Sequence, residues 1–220
     1  MHRYDTPRRA LAFGIAGLAG FVDATGFLAA NSYFVSFMSG NTTRLGIDLA
    51  TSLRQALVPA LLILGFIAGV TLGALLAERF PARRKSVVIG FSTALLVVAA
   101  VLRASGHENA FLALAVLAMG ALNNAFRRDG EVAVAVTYMT GALVRFGQGL
   151  ASFLRGQRIP GWLLNAVLWA SLALGAVIGA AVATHWEWLS AWAAAGFSGS
   201  LLLAALWIER AGPAQPPQSS

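Results

Sequence analysis

The chain contains no cysteine. Disulfides, thiolate nucleophiles and cysteine-based metal sites are therefore excluded. Charge is also scarce: 11% of the 220 residues are Asp, Glu, Lys or Arg, against about 25% in an ordinary soluble domain. Such a chain cannot clothe a globular surface in charge. His2, His107 and His185 are isolated from one another. No HExxH pair, Walker loop or Ser/His/Asp arrangement is legible. The expectation is no enzymatic activity, no metal and no cofactor.

What is present is apolar. Hydrophobic residues make up 58% and the mean hydropathy is +0.71. Long apolar stretches fall at 10–30, 57–78, 86–103, 110–126, 162–184 and 190–209. Each is close to the ~20 residues that a helix needs to cross a bilayer. The first is too long for a signal-peptide core and reads as an uncleaved span. The tail at 212–220, rich in Pro and Gln, reads as disordered. The net charge of +7 does not indicate nucleic acid, because the basic residues sit in short clusters between apolar runs. That is the pattern of cytoplasmic loops.

Two stretches, 34–53 and 135–154, are less apolar and carry Arg, Thr and Gly. Shifted by 101, Val35–Arg54 aligns with Val136–Arg155 without a gap, and nine of the twenty pairs are identical. The matches include Gly40 with Gly141, Arg44 with Arg145 and Gly46 with Gly147. The same shift sets Asp23 on Asn124, and a shift of 106 sets Gly69 and Gly73 on Gly175 and Gly179. Chance similarity of apolar helices does not keep Arg and Gly in order, so the chain reads as a duplication.

Topology follows from charge. With both polar stretches re-entering rather than crossing, twelve basic residues lie on the cytoplasmic side and two, Arg54 and Arg103, lie outside. With both crossing, the bias almost disappears. The expectation is an all-α membrane protein of six transmembrane helices. It forms one membrane domain of two inverted three-helix repeats, about 10–103 and 111–209, each with a re-entrant or half-helix segment. Both termini are expected in the cytoplasm. Arg54 and its match Arg155 are the exception to this charge logic.

The motifs GFVDATGFL and FVSFMSGNTTRLG in the first half, with NNAFRR and VTYMTGALVRFG in the second, resemble those of the YoaK-like family of small bacterial membrane proteins of unknown function. The resemblance covers about 10–209. It implies a bacterial inner-membrane location and supplies no assigned activity, substrate or catalytic residues.

Function must come from the residues. Gly40 and Gly141 permit an irregular turn, and Ser39, Asn41 and Thr140 are suited to cap helices starting there. Two half-helices would direct their N-termini into one cavity, the arrangement seen at solute sites of transporters with inverted repeats. Arg44 and Arg145, one turn in, would favour an anion. The alternative for each Arg is a structural pairing. Asp23 reads as a proton-relay carboxylate, a cation ligand or the partner of Arg44, with Asn124 as its counterpart; the bland reading is an interhelical hydrogen bond. Asp48 is spaced to pair with Arg44. The Gly65, Gly69 and Gly73 ridge and the Gly175 and Gly179 pair point to close helix packing, within the chain or in a homo-oligomer. The tryptophans, Trp169 among them, read as interfacial anchors. The expected function is a transporter or channel for a small polar solute, with an anion favoured. The alternative is a membrane scaffold or accessory subunit, whose centre would be closed and apolar. The expected partners are the lipid bilayer and a small solute, not nucleic acid.

Overall fold

The computed structural model describes residues 5–29, 32–128, 131–132, 139–157 and 159–211. The helices are α1 (Thr6–Ala29), α2 (Met38–Thr51), α3 (Leu53–Arg79), α4 (Arg84–Ala104), α5 (Glu108–Leu122), α6 (Met139–Leu154), α7 (Leu163–His185) and α8 (Glu187–Arg210). A 3-10 turn, Pro81–Arg83, links α3 to α4. A minimal antiparallel ladder pairs Arg127 with Val132 and Arg128 with Glu131. The protein is helical, as its apolar runs predict. Helices α1, α3, α7, α8 and α4 with its preceding turn are long and apolar enough to cross a membrane.

Helix α5 is shorter, at 15 residues, or about 22 Å at 1.5 Å per residue. Phe111, Ala115, Val116, Ala118, Met119 and Leu122 are all buried, so α5 is wrapped by its neighbours rather than by lipid. Helix α1 is similarly central: 67% of its most apolar 18 residues are buried, against 17% for α7. The peripheral helices expose Leu57, Leu61 and Leu64 on α3, Leu174 and Val177 on α7, and Leu203 on α8. Exposed apolar stripes of this kind are stable against acyl chains.

Glycines set the closest helix contacts. A Cβ on Gly175 would overlap the carbonyl of Gly17, and one on Gly179 the carbonyl of Phe21. On the other side of the molecule, Gly69 abuts the carbonyl of Leu117 and Gly73 that of Ala121. In both pairs the contacts advance in the same direction, so α1 runs parallel to α7 and α3 parallel to α5. Small residues serve this purpose in membranes, where dispersion packing replaces the hydrophobic effect as the source of helix association.

The other contacts are antiparallel. Glu209, at the end of α8, accepts hydrogen bonds at the start of α4 from Lys85 N (2.8 Å) and from Ser86 Oγ (2.5 Å). At the far end of α4, Arg103 reaches Ser190 Oγ (2.9 Å) and Glu187 (3.5 Å) at the start of α8. Ser92 on α4 donates to Ala118 O on α5, and Arg103 lies over Phe111. Helix α1 meets α8 through Gly14 with Leu201 and Gly17 with Phe197. Helices α1, α4 and α7 thus run one way, and α3, α5 and α8 the other.

The glycine contacts correct one sequence alignment. Gly20 packs on Leu172 and Ala176, while Gly120 packs on Phe66 and Val70. The offset is 106 between α3 and α7 but 100 between α1 and α5. Asp23 therefore corresponds to Asn123, not Asn124. The shift of 101 read from the short helices does not reach back to α5.

Candidate functional site

Helices α2 and α6 are short, at 14 and 16 residues. Helix α2 is separated from α3 by a single extended residue, Ser52, and packs against α3; α6 packs against α7. The start of α2 is tied to α1 by Asp23. One carboxylate oxygen accepts hydrogen bonds from Val35 N (2.8 Å) and Ser36 N (2.6 Å), and the other accepts one from Ser36 Oγ (2.5 Å). A carboxylate offers about four acceptor positions. The Phe37 backbone N–H adds a further hydrogen bond to this carboxyl group.

Asn41 makes a second tie. Its Oδ1 accepts from Phe34 N (2.9 Å) and its Nδ2 donates to Phe34 O (2.7 Å), so one buried amide satisfies both polar groups of one peptide residue. This corrects the capping expectation. The N-cap of α2 is Phe37, with no side-chain hydrogen bond; Ser39 and Asn41 lie inside the first turn. Asn41 turns back to the preceding loop, and Ser39 is exposed. Thr140 likewise lies within the first turn of α6 and not before it.

A cavity of about 460 Å3 lies between these parts. One wall is α1, through Gly20, Asp23, Ala24, Phe27 and Leu28; the opposite wall is α7, through Trp169, Leu172, Ala176 and Ala180. Phe34 and Phe37 close it from the start of α2, and Met139, Thr140 and Leu143 from the start of α6. The N-cap residue of α2 and the first turn of α6 border one cavity. Its walls are mostly apolar, and among the described residues lining it Asp23 is the one ionisable side chain. Phe27, Phe34 and Phe37 form a run of ring contacts, with centroids 4.9 and 5.1 Å apart.

The remaining sequence candidates lie elsewhere. Arg44 stacks over the ring of Tyr33 (5.0 Å), whose hydroxyl donates to the buried Asp48 (3.1 Å). Arg145 is exposed and bonds Asn165 (3.3 Å). Neither arginine lines the cavity. Asn124 donates to Val70 O (2.9 Å), an interhelical bond between α5 and α3. Gly40 sits against Phe34 and Phe37, where a Cβ would collide with their rings. Gly141 is half-buried in the first turn of α6. The structure thus brings Asp23 and Thr140 to one cavity and leaves both arginines outside it. Sequence reasoning missed the aromatic wall. Trp169, read as an interfacial anchor, lines the cavity one-third of the way along α7. The available signal was Phe27, Phe34 and Phe37 flanking the glycine-interrupted segment.

Known proteins were compared with this chain. A protein described as "UPF0700 transmembrane protein RA0705" from Rhizobium meliloti (strain 1021) is 36% identical over 184 residues, covering 83% of this chain and 79% of that protein. No solved structure matches. These findings agree with the expected membrane family of unassigned function, although neither description carries the YoaK label. The family described as "Protein of unknown function (DUF1275)" matches residues 11–206, and the chain belongs to that family.

Proposed function

We propose that the protein is a transporter or channel for a small solute, which it handles in the cavity where the starts of α2 and α6 meet α1 and α7. The carrying observation is that cavity: two short helices, related in sequence, begin at one space that holds a half-buried carboxylate. A volume of about 460 Å3 lies within the ~300–1,000 Å3 usual for small-molecule sites. A scaffold would have no need of such a space.

The architecture behind this reading is two inverted repeats of three crossings, with α1, α3 and α4 matched to α5, α7 and α8. The opposed directions of each matched pair support it, as do the constant offsets of the glycine contacts. The termini are placed in the cytoplasm of a bacterial inner membrane. Arg8, Arg9, Arg79, Arg83, Arg84, Lys85 and Arg210 belong to the end of the bundle where α1 and α4 start and α3 and α8 finish. Arg54 and Arg103 belong to the other. That asymmetry follows the positive-inside bias. The anionic preference drawn from Arg44 and Arg145 loses its basis, since neither reaches the cavity.

Because the chain lacks cysteine, the test is direct. Ala24→Cys, Ala176→Cys and Ala180→Cys are made singly in the cavity wall, with Leu61→Cys on the exposed face of α3 as the lipid control. Each is treated in proteoliposomes with a membrane-impermeant maleimide. Cavity positions are expected to label and Leu61→Cys to stay unlabelled. Protection of all three cavity positions would overturn a solute path there.

A further inference from the structure

We infer that the solute is a small organic cation: an ammonium group carried on an apolar or aromatic body. This rests on the cavity being the solute site and names the chemistry that the site selects.

The walls limit the solute first. A space faced by Phe27, Phe34, Phe37 and Trp169 desolvates whatever enters it, so a compact hydrated anion would lose water and meet no cationic side chain among the described lining residues. Apolar surface on the solute is instead favoured, by roughly 25 cal/mol per Å2 removed from water. Among the described residues lining the cavity, the one ionisable side chain is the acid Asp23. Asp23 is held in place by three donors from the 35–36 loop, which fixes its direction without a countercharge among those partners. A carboxylate in the cavity wall suits an N–H donor, and a cationic donor gains most in a low-dielectric site. Aromatic faces nearby attract the same group through their quadrupoles. The arginines that would have selected an anion are occupied elsewhere, Arg44 on Tyr33 and Arg145 on Asn165.

The asymmetry of the repeats strengthens the argument. Contact offsets place Asn123 opposite Asp23 in the duplicated frame, and its amide is bonded to Met119 O (3.1 Å) within its own helix. The matching position therefore carries an amide rather than an acid.

The test uses the purified full chain in detergent and three probes of one shape: 2-phenylethylammonium, 2-phenylethanol and phenylacetate. Binding is read by thermal shift and by isothermal titration. The ammonium compound is expected to bind about tenfold more tightly than the alcohol, the usual effect of a charge-assisted hydrogen bond, and phenylacetate more weakly than either. Asp23→Asn is expected to bring the ammonium and the alcohol to within about threefold of each other. Since Asp23 also anchors the loop, a second variant, Ala176→Phe, fills the cavity without touching the carboxylate and is expected to abolish binding of all three. Tighter binding of phenylacetate would overturn the inference. So would an ammonium preference that persists in folded Asp23→Asn, or binding that survives Ala176→Phe. Binding with the predicted order but no flux in proteoliposomes would keep this inference and sink the transport reading, so the two fail separately.

Discussion

The starts of α2 and α6 are copies in sequence and border one cavity, yet different side chains surround them. Before α2, Asp23 and Asn41 hold residues 34–36 through four hydrogen bonds to the backbone and one to Ser36 Oγ, all shorter than 3 Å. The counterpart of Asn41 at the start of α6 is Ala142, buried and without a polar group, and that of Asp23 is Asn123, which bonds within α5. Further along, Asp48 meets Tyr33, whereas its counterpart Gly149 makes room for Trp162. The difference teaches that the duplicated feature is the backbone plan. Among the described residues lining the cavity, the ionisable side chain belongs to the first copy.

The largest effects should come from the feature that the halves share. Gly20→Leu and Gly120→Leu place side chains where Leu172 O and Phe66 O now stand. Each is expected to cost on the order of 3 kcal/mol, with loss of monodisperse protein on size exclusion after mild heating. Equal losses would show that both crossings depend on close approach; a tolerated Gly120→Leu would break the equivalence. Gly147→Ala, where nothing lies within 4 Å of the new methyl, is the control. It should gain up to about 1 kcal/mol from helix propensity.

Next comes the contrast between the copies. Asp23→Ala leaves two amides and a hydroxyl without their acceptor, a loss of about 3 kcal/mol. Asn123→Ala removes the neutral bond to Met119 O and should cost less than Asp23→Ala. Melting temperatures of the purified variants check the ordering, and equal values would remove the asymmetry. Asn41→Ala should fall between them, at about 2 kcal/mol, with faster proteolysis in residues 32–37.

The smallest effects should be at the arginines. Arg44→Ala loses its stacking on Tyr33, about 1 kcal/mol. Arg145→Ala, exposed, should change stability by less than about 0.5 kcal/mol. Neither should alter affinity for a cavity ligand by more than about twofold, because neither lines it. A tenfold loss in Arg145→Ala would restore the anion site that the sequence first suggested.

Much of this was legible beforehand. Apolar runs of bilayer length located the long helices, since hydrocarbon accepts little else. Gly40 and Gly141 located the short helices to within two residues of their first turns. Asp23 was legible as important because an acid among apolar residues needs a reason. Its partners were not, since Val35 and Ser36 lie a loop away, and only folding brings them back to α1. Ser39, Asn41 and Thr140 misled for a related reason. Their types suit caps, but the helices begin before them, and the backbone that Asn41 binds belongs to a loop whose path the sequence does not state.

By itself, then, the sequence determined the solvent, the helices and the absence of thiol chemistry. These follow from composition and short-range pattern. The tertiary structure decided which faces meet. It set the one-residue difference in the register of α1 and α5, turned Arg44 and Arg145 away from the cavity, and brought Trp169 into its wall. Helical periodicity gives a residue's angle on its own helix. The rotation of that helix against its neighbours is set by packing, and packing chose which side chains share the cavity.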